Sequence, residues 1–136
     1  MGTLHVVATP IGNLEDISLR ALRVLSEAGL IFAEDTRRTR ILLERHRIPG
    51  RPVSLNAQNE EARIGEALAR LRGDGEKDAD VVLVSDAGTP LVSDPGGRLV
   101  EAAIADGHAI DAVPGASAVL AALCVSGLAA NSLRVS

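Results

Sequence analysis

A chain of 136 residues with a formal charge of −4 has the length of one domain and enough material for a real core. It holds one phenylalanine, no tryptophan and no tyrosine, which excludes an aromatic platform for stacked single-stranded nucleic acid, and the acidic total argues against nonspecific coating of nucleic acid while allowing a local basic patch. The single cysteine, Cys124 in VLAALCV, excludes an intrachain disulfide, reads as a small buried thiol and suits a reducing cytoplasmic compartment.

Five apolar or β-branched runs alternate with helical patterns. That alternation predicts an α/β fold with a five-stranded, mostly parallel sheet flanked by helices. The first strand, 4–9, runs into the loop TPIGNLED (9–16). A helix over 17–28 follows, with Ile17, Leu19, Ala21, Leu22 and Leu25 largely on one side, Asp16 or Ser18 near its cap and Gly29 at its end. The second strand, 30–34, ends in AEDTRRTR, which brings Glu34, Asp35, Thr36 and Arg37 to a strand end. Solvated charges with Asp35 or Thr36 as a helix N-cap, and a chemical role, both stay open there. From Arg37 to Arg51 the chain carries Arg37, Arg38, Arg40, Arg45, Arg47 and Arg51 against one acid, Glu44. This stretch fits a phosphate-facing surface as well as a solvated helix face, and Arg37 and Arg38 stand nearest the strand end.

The third strand is 52–55, the next helix 60–72, with Ile64, Ala67, Leu68 and Leu71 on one face, and GDGEKDA (73–79) is a hydrophilic loop. The fourth strand, 80–85, opens into SDAGTPLVSDPGGR, longer than the usual connection of about 2–6 residues. Asp94 can cap the helix that begins at Pro95, presents Leu99, Ala102, Ala103 and Ala105, and closes at Gly107; Asp-Pro-Gly is also a common turn. The fifth strand, 109–113, leads to PGASA, where Ser117 can cap a last helix.

Three special loops therefore follow the first, fourth and fifth strands and would meet at one sheet edge, where α/β proteins hold ligands. No G-x-G-x-x-G follows the first strand and no GxxxxGK[ST] occurs, so neither a dinucleotide nor a nucleoside triphosphate is the expected guest. His5, His46 and His108 are scattered, and no metal is assigned. The N-terminus lacks a signal-peptide pattern, Val6 breaks the myristoylation motif, and no apolar run approaches the roughly 20 residues of a membrane span.

VATPIGNLEDISLRAL, AEDTRRTR, LVSDAGTPLVSDPGGRLV and VPGASA together resemble, in order and spacing, the small-subunit ribosomal RNA methyltransferase I family of the tetrapyrrole methylase superfamily. The resemblance covers residues 4–128. It implies S-adenosylmethionine-dependent methylation of the 2′-oxygen of a cytidine ribose in ribosomal RNA, by a cytoplasmic homodimer. It further implies that residues 1–130 form the first of two α/β domains, with 131–136 starting an interdomain connection and the second domain absent from this chain. The family pattern places the cofactor against Pro10 and Ile11 in the first loop, Asp86, Ala87, Gly88, Thr89 and Val92 in the fourth, and Ser117 and Ala118 in the fifth. The stretch SLNAQNE (54–60) departs from the family by lacking histidines, leaving Asn56, Gln58 and Asn59, and PGASA has Ala116 where proline is commoner.

Transfer of a methyl group from sulfonium to a hydroxyl needs alignment and an acceptor for the hydroxyl proton. A carboxylate at the strand-end edge is the candidate: Asp35 first, Asp94 second. Arg37 and Arg38 would contact RNA phosphates, which position without specifying sequence. Two other readings stand beside this one. They are methylation of a corrin or porphyrin precursor, against which TPIGNL and EDTR weigh, and a non-catalytic cofactor-binding or dimerisation module.

Overall fold

The computed structural model describes residues 2–9, 14–73, 79–86, 95–113 and 133–135. In chain order they form β1 (Thr3–Thr9), α1 (Leu19–Glu27), β2 (Leu30–Ala33), α2 (Thr36–Arg45), β3 (Pro52–Ser54), α3 (Glu60–Leu71), β4 (Val81–Asp86), α4 (Pro95–Ala105), β5 (Ala109–Val113) and β6 (Leu133–Val135). The strands make one sheet in the order β3-β2-β4-β1-β5-β6, and every pairing is parallel. All five expected strands are present, with ends displaced by at most a residue. Leu133–Val135 pairs with β5 as an edge strand.

Strand parity divides the core in two. Leu4, Val6, Phe32, Val81, Leu83 and Ile110 face α3 and α4, meeting Ala67, Leu71, Leu99, Val100 and Ala103. Their chain neighbours Val7, Ile31, Ala33, Val82, Val84 and Val113 face α1 and α2, meeting Ala21, Leu25, Leu42 and Leu43. Such strands are apolar on both sides because helices cover both faces, which is why they read as continuous apolar runs rather than alternating ones.

The first helix starts later than its apolar pattern suggested. Ser18 is the cap, its Oγ accepting from the Ala21 backbone N–H at 3.1 Å. Ile17 lies before it, buried, and packs into the same cluster as Leu22 in the manner of a hydrophobic staple. The segment Leu14–Asp16 is a short 3-10 turn, tied to the end of α2 by a hydrogen bond between His46 Nε2 and the Leu14 carbonyl at 2.9 Å.

Three helices end in the same way, with a left-handed residue just past the cap. After α3 and α4 that residue is Gly73 (φ 64°) and Gly107 (φ 86°), as this conformation favours. After α2 it is Arg47 (φ 55°). Its N–H donates to the Glu44 carbonyl and that of Ile48 to the Leu43 carbonyl, a complete Schellman motif.

Candidate active-site edge

The carboxyl ends of β1 and β4 lie side by side, with Thr9 paired to Asp86. The connection leaving β1 leads to α1 on one face of the sheet, whereas the connection leaving β4 leads to α4 on the other. Two neighbouring strands whose connections part to opposite faces open a crevice between them, and that switch point is where open α/β sheets hold ligands. TPIGNLED and SDAGTPLVSDPGG are the segments that leave this crevice. Thr9 at its floor is buried, and its Oγ1 donates to the Ser85 carbonyl at 3.4 Å.

Of the expected cofactor contacts, Asp86 is the last residue of β4 and stands at this edge. Pro10, Ile11, Ala87, Gly88, Thr89, Val92, Ser117 and Ala118 lie outside the described residues, as do Asp94 and Ala116.

β2 runs beside β4, with Ala33 paired to Val84, so Asp35 and Asp86 follow their strands out at the same level. Asp35 is the N-cap of α2, and its Oδ1 accepts from the Arg38 backbone N–H at 3.0 Å. Arg37 is exposed and Arg38 half-buried in the first turn of α2, which contains no acidic residue. Glu34 and Asp35, both exposed, precede these arginines, so charges of both signs meet at this helix start.

Asn56 and Asn59 have a different occupation from ligand binding. Asn56 Oδ1 accepts from the N–H groups of Gln58 and Asn59 at 3.0 and 3.1 Å, while Asn59 Oδ1 accepts from the Asn56 N–H at 2.8 Å. Asn59 Nδ2 and Arg63 Nε both donate to the Ser54 carbonyl at 3.0 Å. This network turns the chain from β3 into α3; Gln58 stays exposed.

A buried polar cluster escaped the sequence reading. His5 and Asp111 are register partners on β1 and β5, and His5 Nδ1 lies 2.9 Å from Asp111 Oδ2. Arg20 of α1 donates to the same oxygen at 2.6 Å, and His5 Nε2 lies 3.0 Å from Asp80 Oδ2. The Asp111 side chain is 5% exposed. The signal was present as a charge in the middle of the apolar strand AIDAV, which demands a partner when buried. On the amino side of the opposite face, Arg72 grips Asp106 with two bonds of 3.0 Å and His108 Nε2 adds a third contact at 2.8 Å. Those bonds from Arg72, then from His108, hold the Asp106 carboxyl at about 2. Among the described residues no trio of His, Cys, Asp or Glu could hold a metal ion, and no helix is long and apolar enough to cross a membrane.

Residues 3–136 match the family described as Tetrapyrrole (Corrin/Porphyrin) Methylases. The ribosomal RNA small subunit methyltransferase I of Thermotoga maritima is 52% identical over 127 residues, 93% of this chain and 55% of that protein. The protein of the same name from Xylella fastidiosa is 52% identical over 130 residues, 96% of this chain and 46% of its own length. The chain thus spans about half the length of these relatives. Among solved structures, uroporphyrin-III C-methyltransferase from Thermus thermophilus, complexed with S-adenosylhomocysteine, superposes with a TM-score of 0.58 at 24% identity, over 88% of this chain and 47% of that one. That likeness shows a shared fold.

Proposed function

The chain belongs to the tetrapyrrole (corrin/porphyrin) methylase family, and on that premise we propose that it is one half of an S-adenosylmethionine-dependent enzyme that methylates the 2′-oxygen of a cytidine ribose in small-subunit ribosomal RNA. The observation that carries the proposal is the crevice between β1 and β4, from which leave the two loops with the family's motifs. Identity of 52% to relatives named for ribosomal RNA methylation supports the substrate class.

Pro10, Ile11, Asp86, Ala87, Gly88, Thr89, Val92, Ser117 and Ala118 would hold the cofactor, which supplies an electrophilic methyl group when bound. The remaining work falls to the protein: aligning the ribose hydroxyl with that methyl, and taking its proton. Alignment alone can contribute about 7–11 kcal/mol. Asp35 is proposed as the acceptor, since only Oδ1 of its carboxylate is committed to the Arg38 N–H. Arg37 and Arg38 are proposed to hold RNA phosphates beside it. The second half of the protein completes the cleft, two copies form a homodimer, and the compartment is the cytoplasm.

The test is calorimetric titration of S-adenosylhomocysteine into the full-length protein, followed by methyl transfer to small-subunit ribosomal RNA. Binding together with a 2′-O-methylcytidine product supports the reading. Failure to bind the cofactor product removes the methyltransferase assignment, and binding without RNA methylation removes the substrate.

A further inference from the structure

A surface pocket of about 500 Å³ opens between α2 and the segment that enters β3. Arg40, Glu44 and Arg51 line it together with Leu43, Ile48 and Pro52. Pro52 begins the edge strand β3 and pairs with Ile31, so the pocket lies on the edge of the sheet, towards its amino side and away from the β1/β4 crevice. Arg40, Arg47 and Arg51 are exposed. Among the described residues no ion pair engages their guanidinium groups, whereas neighbouring Arg45 is paired with Glu15 at 3.2 Å. Arg47 also occupies the left-handed position that α3 and α4 give to glycine, so a charged side chain is kept where the backbone favours none.

We propose that this pocket, with Arg40, Arg47 and Arg51, is a second contact for phosphodiester groups of the RNA, remote from the reacting ribose. The inference rests on the proposed RNA substrate. Guanidinium groups bind phosphate through paired hydrogen bonds. The volume is of the order that accommodates a small ligand, and a phosphodiester group with part of its ribose fits within it. α2 begins at the carboxyl edge beside Asp35 and ends beside the pocket. RNA held at Arg37 and Arg38 therefore continues along the helix, whose ten residues span about 15 Å, to Arg40, Arg51 and Arg47. Glu44 is the one acidic group lining the pocket and opposes the ligand.

The experiment is anisotropy of fluorescein-labelled small-subunit ribosomal RNA titrated with the full-length protein between about 50 and 200 mM KCl, with Arg40→Ala/Arg47→Ala/Arg51→Ala compared with wild type. Three lost phosphate contacts on a single strand make the plot of log affinity against log salt shallower by about 2, so the wild-type advantage shrinks roughly twentyfold across that range. Glu44→Gln should tighten binding, and Arg23→Ala, an exposed arginine of α1, should leave the slope unchanged. Parallel salt plots for the triple variant and wild type, with S-adenosylhomocysteine binding intact in both, overturn the second contact and leave the methyltransferase reading standing. An equal loss with Arg23→Ala also overturns it, because bulk charge would then suffice. Wild-type protein that fails to bind the RNA removes the proposed substrate, and the second contact with it.

Discussion

Arg47→Gly should make the protein more stable. The left-handed conformation at φ 55° costs a residue with a Cβ about 1–2 kcal/mol, and glycine occupies it without that penalty. The Schellman hydrogen bonds at this turn are backbone to backbone, from Arg47 to Glu44 and from Ile48 to Leu43, so truncation leaves them in place. Glycine also loosens the unfolded chain, which takes back about 0.4–1 kcal/mol. The net gain is roughly 0.5–1 kcal/mol, equivalent to about 2–4 °C in Tm for a domain of this size. Arg47→Ala separates the two contributions, because it removes the guanidinium while keeping the strained Cβ. Urea unfolding should show a raised midpoint at unchanged m for Arg47→Gly and a midpoint near wild type for Arg47→Ala, while both variants lose the same RNA affinity. A glycine variant no more stable than the alanine one would refute the strain argument.

Asp35→Asn preserves the N-cap, since Asn and Asp cap equally well, but removes a carboxylate. Methyl transfer to RNA should fall by roughly 100-fold or more with stability unchanged, whereas Asp35→Ala should in addition cost about 1 kcal/mol; full activity in the asparagine variant would dismiss Asp35 as the proton acceptor. Asp111→Ala strands His5 and Arg20 and should destabilise the fold by about 2–4 kcal/mol, read as a lower urea midpoint. The carboxyl of Asp106 is held at about 2, below its ordinary 3.8. A depressed carboxylate stabilises the fold fully above its unfolded value and loses that contribution as the pH falls through its folded one. Unfolding midpoints measured from pH 5 down to about 2 should therefore drop less steeply for Asp106→Asn than for wild type, and superimposable acid limbs would count against the Arg72–Asp106–His108 clamp.

Local rules made much of the fold legible. The β-branched runs became strands because both faces of a parallel sheet are covered, as the two clusters around Phe32 and Val82 show. Gly107 ended α4 and Asp35 capped α2 as the sequence suggested. The edge strand β6 was missed because Leu133–Val135 is three residues long with a charge at its centre, too short for periodicity to register. The His5–Asp111–Arg20 cluster was missed for another reason: its members lie far apart in the chain and meet only once the register sets β1 against β5. The Arg40 and Arg51 pocket depends likewise on α2 lying against the start of β3. The candidate site was legible as motifs at strand ends. Its location needed the knowledge that α1 and α4 cover opposite faces, which no single segment records.

One departure from a local rule stands at the end of α2. The start of this helix carries Arg37 and Arg38 behind the Asp35 cap, and the turn after it places arginine where its two counterparts have glycine. Elsewhere the same chain keeps to glycine at this position: Gly73 and Gly107 follow α3 and α4. A helix optimised for stability alone would carry glycine after its end. The departure adds positive charge beside the pocket at the end of α2. The anionic ligand proposed for that pocket accounts for it, whereas packing does not, since Arg47 is exposed. The left-handed Arg47 accordingly makes the end of α2 less favourable than glycine would, and the proposed phosphate contact is the role that offsets this cost.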